Sequence, residues 1–195
     1  PLHQTKIKEL KKELRRQQLK YFDSGLMPEE MRNRMIKEKK TTVYAFVRDP
    51  KLYPLAKYLD YADLALNRNK KNLKILTKGL SSKDSVIRYW SVVGLLLLEK
   101  DAKPAISSLK KALDDSDEIP ALAAWAIYKA GDKAFAEKWM LETITNNPGN
   151  KMLANVLDWM GKGGHPILAK IPTGKLPKKG LLKDVLNRSG VRNKG

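Results

Sequence analysis

Val86–Lys100 reads VIRYWSVVGLLLLEK, the densest run of apolar residues in the chain. It is too short for a membrane-spanning helix, which needs about 20 apolar residues. It is also too long for an ordinary buried strand of about 5–6 residues. Val86, Trp90, Val93 and Leu97 follow 4-3-4 spacing and share one face of a helix, which Ile87, Gly94 and Leu98 widen. Arg88, Ser91 and Glu99 fall away from that face. A helix apolar around most of its circumference is buried on more than one side, so this segment needs neighbours both before and after it.

An internal repeat supplies them. LKILTKGLSSKDSV begins at Leu73 and ISSLKKALDDSDEI begins 33 residues later, at Ile106. Leu76 aligns with Leu109, Lys78 with Lys111, Leu80 with Leu113, Asp84 with Asp117 and Val86 with Ile119. Gly79 and Ala112 are both small, as where two helices approach closely. A period in the thirties made of helix, polar turn and helix predicts stacked hairpins whose apolar faces cover one another. The expected fold is therefore all-α, an α-α superhelix with an extended basic C-terminal tail. A third, degenerate unit is expected from Asp132–Asn147, the Asn147-Pro148-Gly149 turn and Lys151–Met160, stopping at Gly161.

Before the repeats, Ile7, Leu10, Leu14 and Tyr21 fall at helical spacing in a strongly basic segment. Pro28 with Glu29 and Glu30 predicts a helix start. Thr42 is placed to cap a short helix over Val43–Val47. Asp49-Pro50 and Tyr53-Pro54 are two further starts, the second leading into the stripe of Leu55, Leu59, Ala62 and Leu66. After Gly161, glycine and proline predict an extended segment, with one short helix over Leu181–Asn187. The expected divisions are 1–40 as N-terminal helices, 41–161 as the repeats, and 162–195 as the tail.

The 195 residues carry a net charge of +18, unevenly spread. Residues 1–50 and 51–100 are each +6, residues 101–160 are −2, and residues 161–195 are +8. Two basic regions flanking a slightly acidic centre suggest contact with a polyanion or a basic tail lying on an acidic surface, and fit a solvated lysine-rich surface equally well. The candidate cations are Lys8, Lys11, Lys12, Arg15 and Arg16 on the first helix, with Lys175, Lys178, Lys179, Lys183, Arg188 and Arg192 in the tail. A polyanion such as nucleic acid is a line charge, so its binding would depend strongly on salt.

Enzyme chemistry has little to work with. The chain has no cysteine, which excludes disulfides, thiolate metal sites and a cysteine nucleophile. Two histidines, His3 and His165, are too few for a histidine-rich metal site. GxxxxGK[ST], HExxH and GxSxG are all absent. Asp114, Asp115, Asp117 and Glu118 resemble a calcium loop in charge, but Ile119 and Trp125 stand where an EF-hand has glycine and the closing glutamate. They are read as a helix-capping turn. Trp90, Trp125, Trp139 and Trp159 lie within apolar helical patterns and are read as core. Asp158 beside Trp159 raises the alternative of a basic helical-repeat DNA glycosylase, although adjacent residues point in different directions on a helix.

Three stretches carry a family likeness. YFDSGLMPEE (Tyr21–Glu30), VRDPKLYPLAKYLDYADLA (Val47–Ala65) and DSVIRYWSVVGLL (Asp84–Leu96) resemble the carboxy-terminal region of bacterial sulfatases of the arylsulfatase and heparan-sulfatase type. The likeness covers roughly Leu10 to Gly131. It implies a HEAT-like region that follows a catalytic domain, in a periplasmic or secreted parent hydrolysing sulfate esters or sulfamates of sulfated glycans. The family's Cys- or Ser-x-Pro-x-Arg motif and its acidic calcium ligands are missing here. No catalytic, cofactor-binding or metal residue is therefore carried over, and the calcium ion would belong to the parent's catalytic domain. The expected function is a non-catalytic scaffold that helps to position substrate, with the upstream domain as its partner. The alternative is a free-standing basic module binding polyanions, a sulfated glycan before a nucleic acid.

Overall fold

The computed structural model describes residues 2–115, 118–172 and 180–190, and among them every regular element is helical. The α-helices are α1 (Leu2–Lys20), α2 (Glu29–Glu38), α3 (Val43–Arg48), α4 (Leu55–Leu66), α5 (Leu73–Gly79), α6 (Ser85–Leu98), α7 (Ile106–Lys111), α8 (Ile119–Ala130), α9 (Lys133–Asn146), α10 (Lys151–Lys162) and α11 (Leu181–Arg188). No helix among the described residues is long and apolar enough to cross a membrane.

The opening stretch is α6. Asp84 starts it, its carboxylate accepting from the backbone N–H groups of Val86 at 3.0 Å and Ile87 at 3.4 Å. The helix serves two cores. Val86 and Ile87 join Met31, Phe46, Tyr53 and Tyr58, while Val92, Leu95 and Leu98 join a larger core with Leu76, Leu109 and Ile127. That double duty explains its apolar circumference. The buried face is rotated from the one expected: Trp90, Val93 and Leu97 are half-buried, and Val92 and Leu95 are fully enclosed.

Ser91 corrects the reading more sharply. It is fully buried, donating to the Ile87 carbonyl one turn back at 2.7 Å and lying 3.0 Å from the Tyr61 hydroxyl. With both hydrogen bonds made, the hydroxyl no longer opposes burial. The site is also crowded. A Cβ at Gly79 would stand 2.0 Å from the Tyr61 hydroxyl and 2.1 Å from Ser91 Oγ. One at Gly94 would stand 2.6 Å from Leu76 Cδ2. Glycine at both positions lets α5 and α4 lie against α6.

Helix pairs α5–α6 and α7–α8 have the expected 33-residue offset, with Leu76, Leu109, Val86 and Ile119 all buried at matching places. The second helices touch in sequence, α4 against α6, α6 against α8 and α8 against α10. α8 is central: Ala121, Ala123, Ala124 and Ala126 are enclosed, and such small side chains admit α6, α7, α9 and α10 around it. It ends at Gly131, whose φ of 119° is open to glycine.

The N-terminal part of the chain crosses this row. Trp90 Nε1 donates to the Leu26 carbonyl at 2.8 Å. Arg34 reaches both carboxylate oxygens of Glu118, at 3.2 and 3.3 Å, beside the start of α8. Lys151, at the start of α10, pairs with Glu30. Residues 26–34 therefore bind the beginnings of α6, α8 and α10 together, and Leu26, Met27 and Met31 are buried there.

Other starts follow their local chemistry. Thr42 caps α3 by accepting from Ala45 N, and α2 begins at Glu29 directly after Pro28. Tyr53-Pro54 leads into α4, but Asp49-Pro50 forms a turn, in which the Asp49 carboxylate accepts from Lys51 N at 2.8 Å. α10 continues through Gly161 to Lys162, where the sequence predicts a stop; Leu168 occupies the space that a Cβ at Gly161 would need. The stretch after it is not wholly extended, since Pro166–Lys170 forms a 3₁₀ turn.

Candidate functional site

The basic face of α1 divides into two parts. Lys8, Lys11 and Lys12 are exposed and carry no ion-pair partner among the described residues. Arg15 points back to the body, donating to the Ala56 carbonyl at 3.0 Å and the Asp60 carboxylate at 2.5 Å, with Asp63 at 3.6 Å. Arg16 forks onto Glu13 at 2.7 and 2.8 Å within the helix. That hydrogen bond, helped by Gln17, holds the Glu13 carboxyl down to about 2 and raises the Arg16 guanidinium. So two of the five candidate cations on α1 are already engaged.

In the tail, Lys175, Lys178, Lys179 and Arg192 lie outside the described residues. Lys183 is half-buried on α11, and Arg188 lies 3.6 Å from the Asp158 carboxylate. α1 rests on α4 while α11 rests on α10, with α6 and α8 between them in the row of contacts. The two basic groups thus stand at opposite ends of that row.

On α1 the apolar side chains are as conspicuous as the lysines. Ile7, Leu10 and Leu14 are 46%, 57% and 58% exposed, and Leu19 and Tyr21 are exposed as well. The stripe read from the sequence is present, but it faces solvent.

The acidic loop before α8 acts as an arginine receptor. Asp115 binds Arg88, Glu118 binds Arg34, and Glu118 makes no side-chain cap bond to α8. Asp117 lies outside the described residues. Among the described residues no group of three or more histidine, aspartate or glutamate side chains is placed to hold a metal ion.

At the C-terminal end, Asp158, which the sequence singles out beside Trp159, meets partners that sequence reading did not bring to it. Asp158 is only 8% exposed and pairs with Lys162 at 2.6 Å as well as facing Arg188. These groups and His165 line an open cavity of about 520 Å³. His165 Nδ1 accepts from the Ile167 N–H, and its Nε2 lies 3.4 Å from Glu137. A hydrogen bond from Lys170, more than the neighbouring imidazole, keeps the Glu137 carboxyl below its usual range.

Across the Gly163–Pro166 turn, Trp159 is 44% exposed and stacks on Trp125, with centroids 5.8 Å apart and planes at 29°. This corrects the reading of every tryptophan as core. The signal was present: Asn155, Trp159 and Lys162 follow 4-3 spacing on the polar side of α10, opposite the buried Leu153, Val156 and Met160.

Compared with known proteins, the chain matches no family model, no curated protein and no solved structure.

Proposed function

We propose that this chain is a non-catalytic α-α superhelical module of HEAT/armadillo type, which α1 docks against a larger catalytic partner. The observation that carries this reading is the uncovered stripe of Ile7, Leu10 and Leu14. The apolar faces of α4, α6, α8 and α10 are buried, so the one on α1 stands apart. Covering it would contribute about 1.5–3 kcal/mol for each side chain. A second copy of the chain is a poor cover, because α1 bears seven cations against two carboxylates. The fitting partner is an apolar groove rimmed by acidic groups.

The resemblance to sulfatase C-terminal regions names that partner as an upstream sulfatase catalytic domain. It would carry the Cys- or Ser-x-Pro-x-Arg motif and the calcium ion and hydrolyse sulfate esters or sulfamates of sulfated glycans, in a periplasmic or secreted protein. The 33-residue offset and the contacts α4–α6–α8–α10 support the superhelical reading. The test is the reading frame upstream of Pro1. An in-frame segment with that motif and an acidic ligand set supports the proposal. A start codon immediately before Pro1, or sulfate-ester turnover by the purified chain, overturns it.

A second reading, a free-standing polyanion binder, is favoured by one observation: Lys8, Lys11 and Lys12 are exposed together on α1. Heparin affinity that falls steeply with salt and is lost on replacing these lysines would support it.

A further inference from the structure

We propose that the Trp125–Trp159 pair is a binding platform for a neutral sugar ring. The pair lies at the C-terminal end of the chain, away from α1, and its role is independent of the docking of α1. Trp159 lies on the polar side of α10 yet exposes 44% of its surface, and Trp125 supports it from α8. With Tyr128, Lys129 and His165 the two indoles line an open cavity of about 290 Å³ beside the Gly163-Gly164 turn. That volume accommodates one ring of monosaccharide size.

The geometry selects the mode of binding. A flat ring held between two aromatic faces needs them about 7 Å apart, or two van der Waals contacts of about 3.5 Å. At 5.8 Å and 29° the indoles already touch each other. A ligand must therefore lie on the outer surface of the pair. The negative face of an indole attracts the C–H groups that line one face of a pyranose.

The charges select the class. Among the described residues Lys129 is the only lysine lining this cavity, and it donates to Glu99 at 3.1 Å. His165 lies against Glu137. Ammonium and carboxylate side by side offer donors and acceptors to hydroxyl groups but little net charge to a chain of phosphates or sulfates. A hydroxyl-rich, uncharged ring matches both the apolar face and the paired edge.

The test is an intrinsic-fluorescence titration of the full chain with neutral oligomers of glucose, N-acetylglucosamine, mannose and galactose, with heparin and a single-stranded oligonucleotide as comparators. At least one neutral oligosaccharide is expected to give a saturable change that is equal at low and high salt. Trp159→Ala should abolish the change and Trp139→Phe should keep it. In the unaltered chain, the indole N–H resonances of Trp125 and Trp159 should move and those of Trp90 and Trp139 should stay. That second readout needs no variant at Trp159 to fold. The proposal is overturned if no neutral oligosaccharide binds, if binding survives in folded Trp159→Ala, or if other indoles respond instead. It is equally overturned if only heparin or the oligonucleotide produces a salt-sensitive, Trp159-dependent change.

Discussion

Arg88 on α6 forms a two-point ion pair with Asp115, in the loop between α7 and α8, at 2.7 Å through Nε and 3.2 Å through Nη2. The same guanidinium donates to the Ser82 carbonyl at 2.9 Å, in the turn of its own hairpin. Both side chains are largely buried. One residue therefore latches two successive hairpins at their turns, where apolar packing is thinnest. Truncating either partner leaves the other charge enclosed without this two-point ion pair. Arg88→Ala and Asp115→Ala should each destabilise the chain by about 2–4 kcal/mol. The double variant Arg88→Met with Asp115→Leu should recover much of that loss. Denaturant unfolding of the three variants measures it, and a loss in the double variant equal to the sum of the two single losses would show that the pair is not coupled.

Gly79 sets the distance between α5 and α6. A methyl group there meets Tyr61 and Ser91 at about half of normal contact distance. Gly79→Ala should cost about 1–3 kcal/mol despite alanine's better helix propensity. Ser91→Ala removes one of the two obstacles, so the double variant should lose less than the two single losses added together. Thermal unfolding of the set decides the point.

The helices around Leu76 and Leu109 were legible because both residues are buried where apolar side chains recur at helical spacing. Ser91 was not legible, because its burial depends on Tyr61, thirty residues away, and on a carbonyl of its own helix. Gly161 looked like a terminator because glycine usually ends a helix. Here it makes room for Leu168, which arrives from later in the chain. The candidate site divides in the same way. Lys8, Lys11 and Lys12 are exposed as their spacing suggests, whereas the engagement of Arg15 by Asp60 is a contact across 45 residues that periodicity does not carry.

Alkaline pH should unfold the protein by a route that the tyrosines define. Burial raises the hydroxyl pKa values of Tyr53, Tyr58, Tyr61 and Tyr89 above the usual tyrosine value, with nearby carboxylates adding to the effect at all but Tyr61. A raised folded-state pKa means that the unfolded chain gives up these protons first. The contribution is complete below the unfolded value of about 10 and is lost as pH climbs towards the folded values. The thermal midpoint should fall steeply above about pH 10, and Tyr53→Phe should flatten the fall. A midpoint unchanged through that range would contradict this.

Replacing Ile7, Leu10 and Leu14 together with serine should leave the unfolding midpoint of the isolated chain nearly unchanged, because these side chains contact mostly water. Surface changes of this kind usually lie within about 0.5 kcal/mol. The same triple change should abolish docking to the proposed catalytic partner. A marked drop in stability would instead place the stripe inside the fold.

Amide hydrogen exchange along α1 tests the central claim most directly, measured in this chain alone and with the proposed upstream segment joined to it. The account predicts that residues 3–14 exchange rapidly in the isolated chain while α6 and α8 are protected, and that residues 3–14 become protected when the upstream segment is present. Slow exchange of residues 3–14 in the isolated monomer, or rapid exchange in both, would contradict it.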